Sequence, residues 1–179
     1  MNRTMRVMFD TNIFNRIVER RFDLNDLPEG VEAYVTHVQR DELEATPDDF
    51  REKRIELLKL FSGIFQERLP AESAVVGVSR VRECRVGGNF IPAESVVWDV
   101  SRWGESKWSS ECESLYDQIL NKLKKCDSNP NKVQSHIRDA LISETAIKNG
   151  ITLITEDQNL HAIVNEFGSA LNISQIRKK

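Results

Sequence analysis

Two short apolar runs near opposite ends of this chain break off at an acid. Val7-Met8-Phe9 stops at Asp10, and Leu153-Ile154 runs through Thr155-Glu156 to Asp157. Runs this short read as buried strands. The first leads into Ile13, Phe14, Ile17 and Val18, which recur at helical spacing from Thr11 to about Arg21. A buried carboxylate costs several kcal/mol unless it is hydrogen-bonded, paired or bound to a metal. Asp10 therefore either caps the helix that begins at Thr11 or belongs to a site. Asp157 poses the same choice.

The alternation of strand and helix continues between them. Residues 33–38 (AYVTHV) predict a second strand that leads into a short helix at 39–45. Thr46-Pro47-Asp48-Asp49 opens another helix, with Thr46 as N-cap, Asp49 closing the box and Phe50, Leu57, Leu58, Phe61, Ile64 and Phe65 as a core-facing stripe. Residues 74–78 predict a third strand. Residues 80–110, which hold Trp98, Trp103 and Trp108, show no legible period. A helix follows at 110–126 with Leu115, Ile119, Leu120 and Leu123 inward, then another through 136–148 that stops at Asn149-Gly150. Residues 151–154 predict the last strand, succeeded by a helix to about 167 and a basic, frayed tail from 175. This order implies an α/β/α sandwich around a mostly parallel central sheet. At 179 residues the chain suits one domain, 1–179, in which 62–130 form an enlarged middle segment, partly irregular and partly helical.

Composition excludes several classes. With 30 % charged and 40 % hydrophobic residues the chain is expected to fold and stay soluble. No run is long enough for a signal-peptide core or a membrane span. Cys84, Cys112 and Cys126 are odd in number and scattered, which argues against a disulfide framework and for a cytoplasmic setting. A net charge of −3 supplies no overall pull toward nucleic acid. Local clusters such as Arg80/Arg82/Arg85, Lys122/Lys124/Lys125 and Arg177/Lys178/Lys179, or bound cations, would have to supply it. His37, His136 and His161 lack metal-ligand spacing and read as structural or surface residues. The three tryptophans read as packing groups rather than base-stacking platforms.

In parallel sheets, sites form beyond the carboxyl ends of the strands. Asp10 and Asp157 both belong there, the acidic run Asp41-Glu42-Leu43-Glu44 follows the second strand, and Asp139 lies beside the apolar positions Ile137, Ala140 and Leu141. Carboxylates held close raise one another's pKa, a cost that a cation among them removes. An all-oxygen cluster without Cys or His suits Mg²⁺ or Mn²⁺. Such ions activate water and stabilise the leaving oxygen in phosphodiester hydrolysis. Glu42 and Glu44 are two residues apart on a helix and face roughly opposite ways, so one of them at most joins the cluster.

Taken in order, Phe9-Asp10-Thr11-Asn12-Ile13-Phe14, Asp41-Glu42-Leu43, Arg138-Asp139-Ala140-Leu141-Ile142 and Leu153-Ile154-Thr155-Glu156-Asp157 resemble the motifs of PIN-domain ribonucleases, and among them the VapC-like toxins of toxin–antitoxin systems. The resemblance covers roughly the first 60 and last 50 residues. It implies a PIN-like fold and a catalytic, metal-holding quartet of Asp10, Glu42, Asp139 and Asp157. Asn12 would orient the first carboxylate and Thr155 would close the last strand. Glu42 is preferred to Glu44 because a leucine follows it. The resemblance further implies an endoribonuclease dependent on Mg²⁺ or Mn²⁺ with a small antitoxin protein as partner. Single-stranded or looped RNA is the expected substrate because its backbone reaches a recessed cation more easily than a rigid duplex does, and exposed apolar stripes suggest a homodimer. Two departures bear on substrate and partner: Glu156 stands where a small polar residue is usual, and the segment between the second and third acids is long. The alternatives are an RNA-processing enzyme, a non-catalytic PIN-like scaffold that binds protein, and a haloacid-dehalogenase-like phosphotransferase. For the last, Asp10 would be the nucleophile, but Asn12 occupies the place of its second aspartate.

Overall fold

The computed structural model describes residues 4–64 and 114–177, together with the backbone of three short strands at 67–68, 74–75 and 90–91. Elements alternate as expected: β1 (Met5–Phe9), α1 (Thr11–Val18), β2 (Val31–Val35), α2 (His37–Glu44), α3 (Arg51–Ile64), β3 (Glu67–Arg68), β4 (Ala74–Val75), β5 (Phe90–Ile91), α4 (Leu115–Cys126), α5 (Val133–Lys148), β6 (Thr152–Ile154), α6 (Gln158–Asn165), β7 (Ala170–Leu171) and α7 (Ile173–Ile176). Strands β3-β2-β1-β6-β7 form one sheet, in that order, and every neighbouring pair is parallel. The fold is thus α/β with a parallel central sheet.

Alternate strand residues fill opposite faces. Val7, Phe9, Ala33, Val35 and Ile154 join Ile13 and Phe14 of α1, Leu57 and Phe61 of α3 and Ile173 and Ile176 of α7. Met8, Tyr34 and Leu153 join Tyr116, Ile119 and Leu123 of α4, Ala140 and Leu141 of α5 and Leu160 and Val164 of α6. The sheet therefore lies between two helical layers. Helix α2 contributes Val38 to one core and Leu43 to the other, which places it across the sheet's edge.

The strand order carries the functional consequence. From β1 the chain winds outward through β2 to β3, then returns to β6 on the other side of β1. The reversal lies between β1 and β6, the topological switch point where parallel α/β sheets open a crevice at their carboxyl ends. Asp10 follows one of these two strands and Asp157 the other.

Several local expectations are corrected. The second strand ends at Val35 rather than at 38, because Thr36 caps α2 and His37 is already helical. Helix α1 stops at Val18: Arg20 takes φ 56°, and Arg21 N–H reaches back to the Arg16 carbonyl at 2.8 Å, closing the helix without glycine. Phe50 sits in a 3-10 turn before α3 and is 58 % exposed, so it leaves the proposed stripe, whereas Leu57 and Phe61 are buried. Residues 74–75 pair with 90–91 in a separate ladder and do not join the main sheet. Residues 175–177 are built in, not frayed, while 178–179 lie outside the described residues. Asn172 and Gln175 form a reciprocal cap on α7, which buries Ile173 and Ile176, and Arg177 donates to the Arg21 carbonyl. The side chains of Ile64 and Phe65, the three tryptophans, the arginine cluster at 80–85 and residues 76–78 and 110–113 lie outside the described residues.

Candidate active site at the carboxyl edge of the sheet

Asp10 occupies the N-cap position of α1, yet its side chain makes no capping bond. The carboxylate instead accepts from the Thr155 hydroxyl at 2.6 Å and from the Asn12 side-chain amide, both on Oδ2. Asp10 is only 4 % exposed. The helix forgoes the cap bond such a residue ordinarily supplies, and the carboxylate turns across the switch point toward β6. Asn12 Nδ2 also reaches Thr155 Oγ1 at 3.4 Å, while Asn12 Oδ1 is buried without a hydrogen-bond partner.

Asp157 serves two ends. Its Oδ1 caps α6 by accepting from the N–H groups of Asn159 and Leu160 at 2.8 and 2.9 Å, while its own N–H donates to Thr155 Oγ1 at 3.1 Å. It is exposed, so Asp10 forms the floor of the crevice and Asp157 its rim. Thr155 is the pivot: one buried hydroxyl joins the first acid to the backbone of the last.

Helix α2 brings the second acid. Glu42 Oε2 accepts from the Thr11 hydroxyl at 2.7 Å, the residue next to Asp10. Glu44 turns away and pairs with Arg40 at 2.7 Å. The half-buried Asp139 of α5 has Ser135 Oγ 3.5 Å from its Oδ2. The departure at Glu156 adds no charge to the crevice. Its Oε1 accepts from the Ile173 N–H at 2.8 Å and its Oε2 lies 3.5 Å from Arg16, so it ties α7 to the sheet.

The four acids act on one another. Burial pushes Asp10 from 3.8 to about 6; the Thr155 hydroxyl opposes the rise, and the charges of Glu42 and Asp157 add to it. Asp139 is raised well above its ordinary value, first by burial and then by the charges of Asp10, Glu42 and Asp157. Three nearby cations pair with other acids, Arg40 with Glu44, Arg16 with Glu156 and Lys132 with Asp127, and Lys132 also feels the charge of Asp157. No three acids among the described residues are drawn up at ligating distance, and like charges favour such spacing. The donor set is nevertheless all oxygen and includes one orphaned buried carbonyl. A hard divalent cation fits that chemistry better than a soft one.

Sequence reading missed Gln39, Thr11 and Ser135. The Thr36-x-x-Gln39 spacing was legible as a capping box, but nothing local says that Gln39 also touches β1. His37 and His136 are buried. The fold and the site together define an α/β protein with a carboxylate crevice at the switch point of a parallel sheet. No model of a known protein family matches the chain, and a search of curated proteins finds no match either. Among the described residues, no helix is long and apolar enough to cross a membrane.

Proposed function

We propose that this chain is a metal-dependent endoribonuclease of PIN-domain type, with Asp10, Glu42, Asp139 and Asp157 as its catalytic and metal-holding acids. One observation carries the reading. Asp10 gives up a cap bond and lies buried across the switch point, among three other acids whose charges it opposes. A structure that tolerates this has a use for the negative charge, and Mg²⁺ or Mn²⁺ is the ligand that suits carboxylate oxygens at neutral pH.

Asp10, Asp139 and Asp157 would hold the cation, with Glu42 as a further ligand or as the group that orients the attacking water. Bound there, the ion would polarise a phosphate oxygen and lower the pKa of water. The chain's own groups do the rest. Thr155 and Asn12 fix the Asp10 carboxylate by sharing one of its oxygens, leaving Oδ1 outside those two bonds. Thr11 holds Glu42 in place. Asp157, capped on Oδ1, keeps Oδ2 outside its cap bonds at the rim. A buried floor beneath an exposed rim favours a flexible strand over a rigid duplex, so single-stranded or looped RNA is the proposed substrate. A toxin role and a small antitoxin covering the acidic edge follow from the family resemblance.

The test is cleavage of defined RNAs in Mn²⁺ by the wild type beside Asp10→Asn. Divalent-dependent cutting by the wild type and a loss of at least a hundredfold in the variant are expected. Equal cleavage by both proteins would refute the mechanism. Mn²⁺ binding without cleavage of any RNA would instead support the non-catalytic scaffold.

A further inference from the structure

Gln39 spans a gap between the ends of two neighbouring strands. In the parallel β1–β2 ladder Met8 stands opposite Tyr34. One step further, the register would set Phe9 against Val35 and offer the Phe9 carbonyl to the Thr36 N–H. That bond is not made, because β2 ends at Val35 and the chain turns into α2. Gln39 takes its place. Its Oε1 accepts from the Thr36 N–H at 2.7 Å and the Thr36 hydroxyl at 2.6 Å, while its Nε2 donates to the Phe9 carbonyl at 3.2 Å. A side-chain amide here acts as an inserted peptide group, with its acceptor toward one strand end and its donor toward the other. Gln39 is fully buried, so none of the three bonds competes with water.

The two ends it joins are those that carry the acids. Phe9 immediately precedes Asp10. Glu42 lies three residues beyond Gln39 on α2, hence on the same face one turn along. Resting on the proposed metal site, we infer that Gln39 is a positioning residue that sets the separation between the Asp10 and Glu42 carboxylates. An ordinary capping box needs only the bonds to Thr36. The third bond, to a strand 30 residues earlier, does nothing for the cap and couples the helix to the floor of the crevice.

The experiment measures Mn²⁺ affinity by electron paramagnetic resonance of free Mn²⁺, with thermal unfolding in chelator recorded alongside. The proteins are wild type, Gln39→Met, Gln39→Glu and Thr36→Val. Gln39→Met removes both ends of the bridge. Gln39→Glu, in its ionised form, keeps the acceptor and loses the donor. Its added negative charge by itself would tighten Mn²⁺, so weakening there, followed up to pH 8 to ionise the buried carboxyl, is diagnostic and also covers a failure of Gln39→Met to fold. Thr36→Val removes the cap hydroxyl, and with it one of the two bonds to Gln39 Oε1, but keeps the bridge from the Thr36 N–H through the Gln39 amide to the Phe9 carbonyl. The expected result is at least tenfold weaker Mn²⁺ binding in both Gln39 variants, with Thr36→Val within twofold of wild type despite a lower Tm. Gln39 variants within twofold of a Mn²⁺-binding wild type would overturn the positioning role and leave the metal site standing. Equal weakening in Thr36→Val would also overturn it, because loss of the cap alone would then suffice. A wild type that binds no Mn²⁺ would overturn the metal site itself.

Discussion

Asp10 works against the fold at neutral pH, and the size of that effect can be worked out. A carboxyl moved from 3.8 to about 6 by burial has its ionisation disfavoured by about 3 kcal/mol, at roughly 1.4 kcal/mol for each tenfold change in proton affinity. Below pH 3.8 the group is protonated in both folded and unfolded chains, and its contribution is fully present. Between 3.8 and about 6 the unfolded chain ionises while the native one keeps its proton, so stability falls as pH rises. Above about 6 the loss is complete. Asp10→Asn removes this dependence with little structural cost, because Thr155 and Asn12 both donate to the same oxygen and an amide oxygen can accept from both. Asp139, raised in part by Asp10, is relieved in the same variant. Urea unfolding in chelator at pH 4, 5, 6 and 7 should therefore show Asp10→Asn gaining on the wild type by about 3 kcal/mol across the series. Mn²⁺ at about a thousand times its Kd should reverse the order at pH 7, since it adds about 4.1 kcal/mol to the form that binds it. A wild type–variant difference that is flat with pH would refute the argument.

Other substitutions separate the site from its supports. Glu42→Gln should abolish the Mn²⁺-induced rise in Tm. Glu44→Gln, which loses a part-exposed pair with Arg40, should retain it and shift stability by about 1 kcal/mol or less; the reverse ranking in a thermal-shift titration would assign the wrong glutamate. Glu156→Ala should cost about 1–2 kcal/mol in urea unfolding, through the Ile173 N–H bond and the Arg16 pair, with Mn²⁺ affinity unchanged; a lost metal response would place Glu156 in the crevice. Arg20→Gly relieves a non-glycine residue at φ 56° and should stabilise by up to about 1 kcal/mol. A lower Tm would mean that the Arg20 side chain does more than close the helix.

What could be read from the residues in order was whatever depends on near neighbours. The 3.6 spacing of Ile13, Phe14 and Ile17 marked α1, and Asn149-Gly150 marked the end of α5, where Gly150 indeed takes φ 62°. The apolar runs of β1 and β6 were legible because both of their faces are buried. Boundaries slipped where a cap competed with a strand pattern. Tyr34-Val35-Thr36-His37-Val38 is rich in β-branched and aromatic residues, which suits β, but Thr36 caps a helix and ends the strand. The C-terminal segment read as frayed because its anchors, Glu156 and Asp26, lie far away along the chain.

The candidate site divides along the same line. Acid identity, and its place at the end of a buried strand, are properties of short segments, so Asp10 and Asp157 stood out from the start. Whether Asp10 caps α1 or turns into a crevice depends on a hydroxyl 145 residues away. The choice between Glu42 and Glu44 depends on which side of α2 faces Thr11, and the role of Gln39 on where two strands part. Hydrogen bonds and Coulomb forces act through space over a few ångströms, and the order of residues along a chain does not encode those distances until the sheet has formed.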